Sequence, residues 1–132
     1  MLRNGQYEEL LGTYGDVEDQ HVCVLVPSLT RDGEPLDHEY WRTQAIEVLS
    51  RLFGGATSVG GFGGWLDDER GGNIKEEQVS LVVSFTTADE LNADNVFELR
   101  VFLHRMGREA QQGEVACLIG GRLLRIRRYD ET

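Results

Sequence analysis

The chain has 132 residues, 40% of them hydrophobic, which is the size and composition of one domain with its own core. Its net charge of −10 argues against general nucleic-acid binding, because neutralising phosphates requires clustered lysine and arginine. No apolar run approaches the roughly 18 residues of a membrane span, and the N-terminus lacks the apolar core of a signal peptide. We therefore expect a cytoplasmic protein, and the two cysteines fit a reducing compartment.

The first 19 residues are predicted to form a loosely held arm. The segment QYEELL has the composition of a single helical turn, and Gly12 and Gly15 interrupt the chain after it. The first strand is predicted in HVCVLVPSL, because the run from Val22 to Val26 is apolar and rich in β-branched residues.

The first long helix is predicted from Asp37, a good N-cap residue, to about Phe53. Gly54 and Gly55 follow it, and glycine after an apolar stripe is typical of a helix end. The residues that define its apolar face are Trp41, Ala45, Val48, Leu49 and Leu52.

A glycine-rich stretch, RLFGGATSVGGFGGWLDDERGG, raises the question of a phosphate-binding loop. Such a loop leads from a strand into a helix, often with a lysine, whereas this one follows a helix and precedes the alternating strand IKEEQVSLVVSFT. We therefore interpret residues 56–66 as the first arm of a β-hairpin. The glycines expected to mark bulges, or a close approach of other backbone or a ligand, are Gly60, Gly61, Gly63 and Gly64.

The second long helix is predicted in TTADELNADNVFELRVFLHRM, with Thr87 or Asn92 as its start and its end within one turn of Gly107. A final hairpin follows, in which EVACLI and RLLRIRR are strands and Gly120-Gly121 is the two-residue turn.

This order of elements predicts an α+β fold of the ferredoxin-like split βαβ type. The antiparallel sheet has the order 4-1-3-2 with two helices on one face, plus a C-terminal hairpin strand. We divide the chain into an N-terminal arm (1–19), a ferredoxin-like domain (20–128) and a tail (129–132). Strand 4 lies beside strand 1 in this plan, which places Cys117 near Cys23 as two buried free thiols.

Strands 1 and 4 are apolar on both faces, yet the helices cover only one face of the sheet. The other face must be covered by the arm, the terminal strand or another subunit. We favour another subunit, because the arm is too polar, and we predict a dimer or larger oligomer.

The plan also brings three segments to one end of the molecule: the loop after strand 1, the turn of the 2–3 hairpin and the exit from the second long helix. Arginines at the helix exit suit bidentate binding of a carboxylate or phosphate, although the same residues also suit helix-dipole and i,i+4 contacts. Trp65 suits a stacking wall for a ligand or simple packing. The candidate binding residues are Arg105, Arg108, Glu109, Gln112, Trp65, Asp67, Asp68 and His38.

No catalytic set is legible in the sequence. The three histidines have no metal-ligand spacing, the cysteines lie within apolar strands, and no serine has the G-x-S-x-G setting. We predict no metal and no cofactor.

Two longer phrases, LFGGATSVGGFGGWLDDERGGNIKEEQVSLVVSF and RMGREAQQGEVACLIGGRLLRI, resemble small bacterial ferredoxin-like proteins without an assigned activity. The piece GGATSVGGFGG also resembles strand 2 of nitrogen-regulatory PII-like signalling proteins. Those are βαββαβ trimers that bind nucleotides between subunits through the loop after strand 2. The corresponding loop here is short and acidic, with Arg70 as its one cation, which departs from the nucleotide-binding pattern.

We therefore expect a non-enzymatic, oligomeric binding or regulatory module. Its acidity favours a basic protein partner, as in an antitoxin or inhibitor, while the PII-like resemblance implies a small-ligand sensor. The alternative is a small ferredoxin-like dimeric enzyme with a cleft between sheet and helices, in which Arg105, Arg108, Glu109 or His38 would act.

Overall fold

The computed structural model describes residues 1–15, 17–67 and 71–131. Its five strands form one antiparallel sheet in the order β2-β3-β1-β4-β5. This is the predicted ferredoxin-like order, with the terminal strand added at the β4 edge. The elements are α1 (Gln6–Leu11), β1 (Gln20–Val26), α2 (His38–Phe53), β2 (Thr57–Asp67), β3 (Asn73–Thr86), α3 (Ala93–Glu109), β4 (Val115–Ile119) and β5 (Arg122–Ile126).

Helix α2 begins and ends where its capping residues predict. The Asp37 side chain accepts a hydrogen bond from the Tyr40 amide at 3.1 Å, which satisfies one of the unpaired N–H groups of the first turn. Gly54 ends the helix with φ 93°, a left-handed conformation that favours glycine. The buried stripe of α2 consists of Trp41, Ala45, Leu49 and Phe53, at a spacing of four residues.

Helix α3 begins at the second of the two predicted starts, because the Asn92 side chain accepts from the Asn95 amide at 2.9 Å. The helix ends at Glu109, within one turn of the predicted end at Gly107. Gly107 is buried inside the last turns and faces Tyr129 of the C-terminal tail. A Cβ at position 107 would overlap the tyrosine ring, so this glycine provides space for the tail.

Replacing Gly107 by alanine is expected to destabilise the protein by about 1–3 kcal/mol, because the tyrosine ring must leave its place on α3. In a Tyr129→Ala background the same change is expected to stabilise by up to about 1 kcal/mol, since alanine favours a helix more than glycine does. Urea unfolding of the four proteins measures both effects. The same sign in both backgrounds would contradict the packing role of Gly107.

The β2–β3 hairpin is more regular than its glycines predicted. Eleven consecutive residue pairs, from Thr57↔Val83 to Asp67↔Asn73, join the two strands without a bulge. An added Cβ at Gly60 or Gly61 would meet only open space, so the predicted bulges and close approaches are wrong there. Because Val26, the last residue of β1, pairs with Ser80, the earlier part of β3 extends beyond β1 as a two-stranded ribbon.

The core lies between the two long helices and one face of the sheet. Val22, Val24 and Val26 of β1 are fully buried on this face and belong to one core cluster with residues of both long helices. Val82 of β3 and Cys117 of β4 join them. No helix among the described residues is long and apolar enough to cross a membrane.

Cys23 and Cys117 are both buried and free, on neighbouring strands as predicted. Cys117 pairs with Val24 and Cys23 pairs with Leu118, so the two thiols point to opposite faces of the sheet. Burial, and secondarily the nearby Cys23, raise the pKa of Cys117 from 9.0 to about 11.

This raised pKa predicts a loss of stability in alkali. Below pH 9 the Cys117 thiol is protonated in both folded and unfolded chains, whereas between pH 9 and 11 only the unfolded chain readily loses the proton. From pH 8 to pH 10, we expect the free energy of unfolding to fall by about 1 kcal/mol more in the unmodified protein than in Cys117→Ala. Urea unfolding of both proteins at pH 8 and pH 10 measures this difference. An equal fall in the free energy of unfolding of the two proteins would contradict the prediction.

Candidate functional site

The face of the sheet that carries no helix, here called the open face, is largely apolar. Directly paired residues of an antiparallel sheet share a face, so the row Val59–Leu81–Leu25 lies across β2, β3 and β1 on this side. Several side chains of the open face are exposed to solvent, including Phe85 at 62% and Val59 at 54%. Neither the N-terminal arm nor β5 covers them, because the described arm residues are mostly exposed and β5 extends the sheet sideways.

One end of the open face deepens into a concave cavity of about 670 Å³, here called the end cavity. Its floor is apolar and comes from the open face, while its rim comes from the loop after β1, from the β2–β3 ribbon and from the segment before β4. These are the three segments that the sequence predicted at one end of the molecule. The main floor residues are Leu25, Val79, Ala116 and Leu123, and the polar rim residues are Arg31, Asp67, Lys75, Glu77, Gln112, Glu114 and Arg125.

Glu77 holds the rim of the end cavity in place. One carboxylate oxygen, Oε2, accepts hydrogen bonds from the Leu29 amide at 3.0 Å, the Ser28 amide at 3.2 Å and the Ser28 hydroxyl at 3.3 Å. Hydrogen bonds to a charged acceptor are stronger than neutral ones. A strand residue thus binds the loop that follows β1, and this loop forms one wall of the cavity.

The cations of the end cavity are only partly neutralised. Arg125 lies 3.4 Å from Glu114, whose carboxylate also pairs with Arg127 at 2.9 Å. Within the described part of the chain, neither Arg31 nor Lys75 forms an ion pair. The Lys75 ammonium instead lies 5.7 Å from the centroid of the Trp65 ring, within the range of a cation–π contact.

Three predicted residues line the end cavity. Trp65, which is 42% exposed, faces it from β2, and Asp67 lies at the end of the same strand. Gln112 reaches it from the segment after α3, but its amide nitrogen already donates to the carbonyl oxygens of Leu29 at 2.8 Å and Ala110 at 3.0 Å. Asp68 lies outside the described residues.

Arg105, Arg108 and Glu109 lie on α3 and are not among the cavity-lining residues. The Arg105 guanidinium stacks 4.9 Å from the centroid of the Trp41 ring and donates to the Gln44 side chain at 3.0 Å, so it joins α2 to α3. Glu109 lies 4.0 Å from Arg105. Arg108 donates to the backbone carbonyl of Asp130 at 2.5 Å and binds the tail.

His38, the remaining candidate, joins the start of α2 to the sheet. Its Nδ1 lies 2.8 Å from the Pro27 carbonyl oxygen, which can only accept, so this nitrogen carries the hydrogen. Its Nε2 lies 2.8 Å from the hydroxyl of buried Ser80. Both ring nitrogens are therefore used within the fold.

Sequence reasoning did not select Lys75, Glu77 and Arg31 as site residues. A signal for two of them was present, because Lys75 and Glu77 continue the alternation of Val79 and Leu81 and so point to the open face. Charged residues on the inward side of a strand are uncommon and often mark a site. No group of three histidine, cysteine or acidic side chains among the described residues has the geometry to hold a metal ion.

The fold is similar to that of several proteins of known structure. A phage SAM lyase in complex with S-methyl-5′-thioadenosine aligns with a TM-score of 0.63 and 14% identity, over 88% of this chain and 95% of the lyase. The apo phage SAM lyase aligns with a TM-score of 0.58 and 13% identity, over 91% and 100% of the two chains. CutA from Synechococcus elongatus gives a TM-score of 0.46 and 13% identity, over 83% and 81%.

No protein-family model and no curated protein sequence matches the chain. At 14% identity the likeness to the lyase concerns the fold and assigns no residue a role.

Proposed function

We propose that this protein is a self-associating module that binds a small ligand in the end cavity. The observation that carries the proposal is the position of the cavity, which opens from an apolar sheet face that no part of the described chain covers.

Self-association follows from the cost of leaving the open face in water. Burying apolar surface contributes about 25 cal/mol per Å², and contiguous apolar patches on soluble proteins usually mark an interaction site. Val59, Leu81 and Leu123 lie on this face with 36–54% of their surface exposed. A second copy of the chain is the occupant we favour, because the same apolar face on a neighbouring molecule offers a matching surface.

The side chains of the end cavity favour a ligand with an apolar or aromatic body and an anionic group. The apolar floor of the end cavity can contact the apolar or aromatic part of the ligand, and Trp65 offers a ring face beside that floor. Arg31 and Lys75 supply positive charge that no ion pair within the described residues neutralises. In a chain of net charge −10, two such cations in one cavity favour a carboxylate or a phosphate.

Lys75 makes the proposal directly testable, because it is the only lysine in the chain. Acylation with an amine-reactive ester, followed by mass spectrometry, reports the accessibility of this one side chain against that of the terminal amine. We would use S-adenosylmethionine and ATP as probes with an anionic group, since the PII-like resemblance implies nucleotides, and S-methyl-5′-thioadenosine, which one lyase of this fold binds, as a comparison without an anionic group.

Binding in the cavity is expected to slow acylation of Lys75 by about ten-fold at saturation while leaving the terminal amine unchanged. Trp65→Ala should remove the protection, and Arg51→Ala on the outer face of α2 serves as the matched control. Calorimetry with the same probes measures affinity independently. Unprotected Lys75, together with no heat from any probe, would contradict ligand binding by this chemical class.

A second candidate function is a lyase acting on S-adenosylmethionine, favoured by the likeness in fold to the phage enzyme. The space between helices and sheet is filled by the core, so a reaction site would lie in the end cavity rather than in the cleft first expected. Incubation with S-adenosylmethionine and detection of S-methyl-5′-thioadenosine by mass spectrometry separates an enzyme from a binding module.

A further inference from the structure

The segment between α3 and β4, residues 110–114 and here called the linker, forms one wall of the end cavity and contains a strained residue. Gln112, Gly113 and Glu114 line the cavity. Among the described residues, Gln111 is the one non-glycine residue with a positive φ, at 52°. A left-handed conformation is unfavourable for a residue with a Cβ, and it persists only where the surrounding structure imposes it. The contacts that impose it on the linker therefore also shape the cavity wall.

Hydrogen bonds fix the linker from two sides. On one side lies the loop after β1, whose Arg31 amide donates to the Gln111 carbonyl oxygen at 2.9 Å. The side-chain amide of Gln112 donates to the Leu29 carbonyl oxygen of the same loop at 2.8 Å. On the other side lies the C-terminal tail, whose Tyr129 hydroxyl donates to the Gln112 carbonyl oxygen at 2.8 Å. The tail thus contacts the linker that joins two walls of the cavity.

Contacts with α3 hold the tail in the position that this hydrogen bond requires. The Tyr129 ring occupies the space beside Gly107 and meets the His104 ring edge-on, with 6.0 Å between the ring centroids. The Asp130 carboxylate accepts two hydrogen bonds of 2.8 Å from the Arg100 guanidinium. The Asp130 amide donates to Nδ1 of His104 at 2.7 Å. Together these contacts fix the ring, and the ring determines where its hydroxyl meets the linker.

Charges on the rim of the end cavity act on the same tyrosine. The pKa of Tyr129 is raised, first by burial and then by the Glu114 carboxylate, while the positive charge of Arg31 opposes the increase. Glu114 and Arg31 both line the end cavity, and Arg31 is one of the two cations proposed to attract an anionic ligand. The Tyr129 hydroxyl therefore lies close enough to the rim to respond to its charges.

We infer that Tyr129 is a positioning residue of the end cavity, which holds the linker through Gln112 and thereby keeps Arg31 in the arrangement that binds an anionic ligand. This inference rests on the proposed function. Because the docked tail and the ligand favour the same linker arrangement, each should strengthen the binding of the other. Displacement of the tail is expected to weaken ligand binding, so the tail offers a means of regulating the cavity.

Hydrogen exchange of the ligand-free protein tests the positioning role. Tyr129→Phe retains the ring on α3 and removes only the hydroxyl that donates to Gln112. Exchange of the Arg31 amide, which donates to the linker, is expected to become about five-fold faster, the effect of one lost hydrogen bond. The Gly54 amide at the end of α2 is the internal reference and should not change. Tyr14→Phe is the matched control, because Tyr14 is 98% exposed on the arm.

Ligand affinity tests the consequence for the end cavity, with ATP and S-adenosylmethionine as probes in calorimetry. Tyr129→Phe is expected to weaken binding by about five-fold, and Tyr14→Phe should bind as the unmodified protein does. Gly107→Ala displaces the ring without changing the tail, so it should weaken binding at least as much. A tyrosine with a purely structural role would lower stability in urea and leave the affinity of the folded protein unchanged.

The outcomes separate this inference from the proposed function. Unchanged exchange of the Arg31 amide in Tyr129→Phe would overturn the positioning role. Equal affinity of the unmodified protein and Tyr129→Phe for a bound probe would also overturn it and leave the proposed function intact. Faster exchange at Arg31, with no binding of either probe to the unmodified protein, would support the hold of the tail on the linker and overturn the proposed ligand class.

Discussion

Replacing Leu81 by glutamate is expected to separate the associated copies, weakening self-association by about 100-fold or more. Leu81 lies at the middle of the open face, between Leu25 of β1 and Val59 of β2. In the single chain it is 36% exposed, so the carboxylate can remain hydrated and the fold should tolerate it. In an association through the open face the same carboxylate would be buried without a partner, which costs several kcal/mol.

Sedimentation or light scattering over a range of concentrations measures this effect. Phe97→Glu is the matched control, because Phe97 is 59% exposed on α3 and does not belong to the open face. Circular dichroism should give the same spectrum for both variants. Equal association of Leu81→Glu and the unmodified protein would contradict the open face as the contact surface, and equal weakening by Phe97→Glu would point to a non-specific effect of charge.

Replacing Glu77 by alanine is expected to destabilise the protein by about 2–3 kcal/mol and to loosen the rim of the end cavity. The change removes the acceptor of three hydrogen bonds from Ser28 and Leu29. Two of the donors are backbone amides of half-buried residues, and an amide that loses a charged acceptor without full access to water carries a desolvation cost. Glu77→Gln retains one acceptor oxygen, so a smaller loss is expected.

Urea unfolding measures the loss, and hydrogen exchange at the amides of Ser28 and Leu29 shows whether the loop has been released. Glu76→Ala is the matched control, because the neighbouring residue points to the other face of the ribbon and is exposed. Ligand affinity should fall in Glu77→Ala and persist in Glu76→Ala. Unchanged exchange at the two amides would show that the carboxylate does not hold the loop.

Much of the fold followed from local sequence signals. Asp37 and Gly54 predicted both ends of α2, because capping depends on side chains and φ angles within a few residues. The spacing in β1 predicted that Val22, Val24 and Val26 share one face of the sheet, since successive strand residues point to opposite faces, but it did not predict that this face carries the helices. The succession of strands and helices is compatible with only a few sheet topologies, and the ferredoxin-like one among them predicted the strand order.

Local signals did not show which distant segment a residue contacts. Gly107 lies in the last turn of α3, near the predicted helix end, but the sequence did not show that Tyr129 of the tail occupies the space of its missing side chain. Arg105 was predicted as a candidate for binding an anion, but its guanidinium stacks on Trp41 of the other helix.

The amino-acid sequence by itself therefore determined the elements, their order and the two-sided apolar character of the sheet. Only the tertiary structure decided where the end cavity lies and which side chains line it. Glu77 and Leu29, whose hydrogen bond forms the cavity rim, are 48 positions apart, and Lys75 contacts Trp65 across a hairpin. Helical and strand periodicities act over a few residues, whereas a cavity is created by segments that meet only after the sheet and helices have packed.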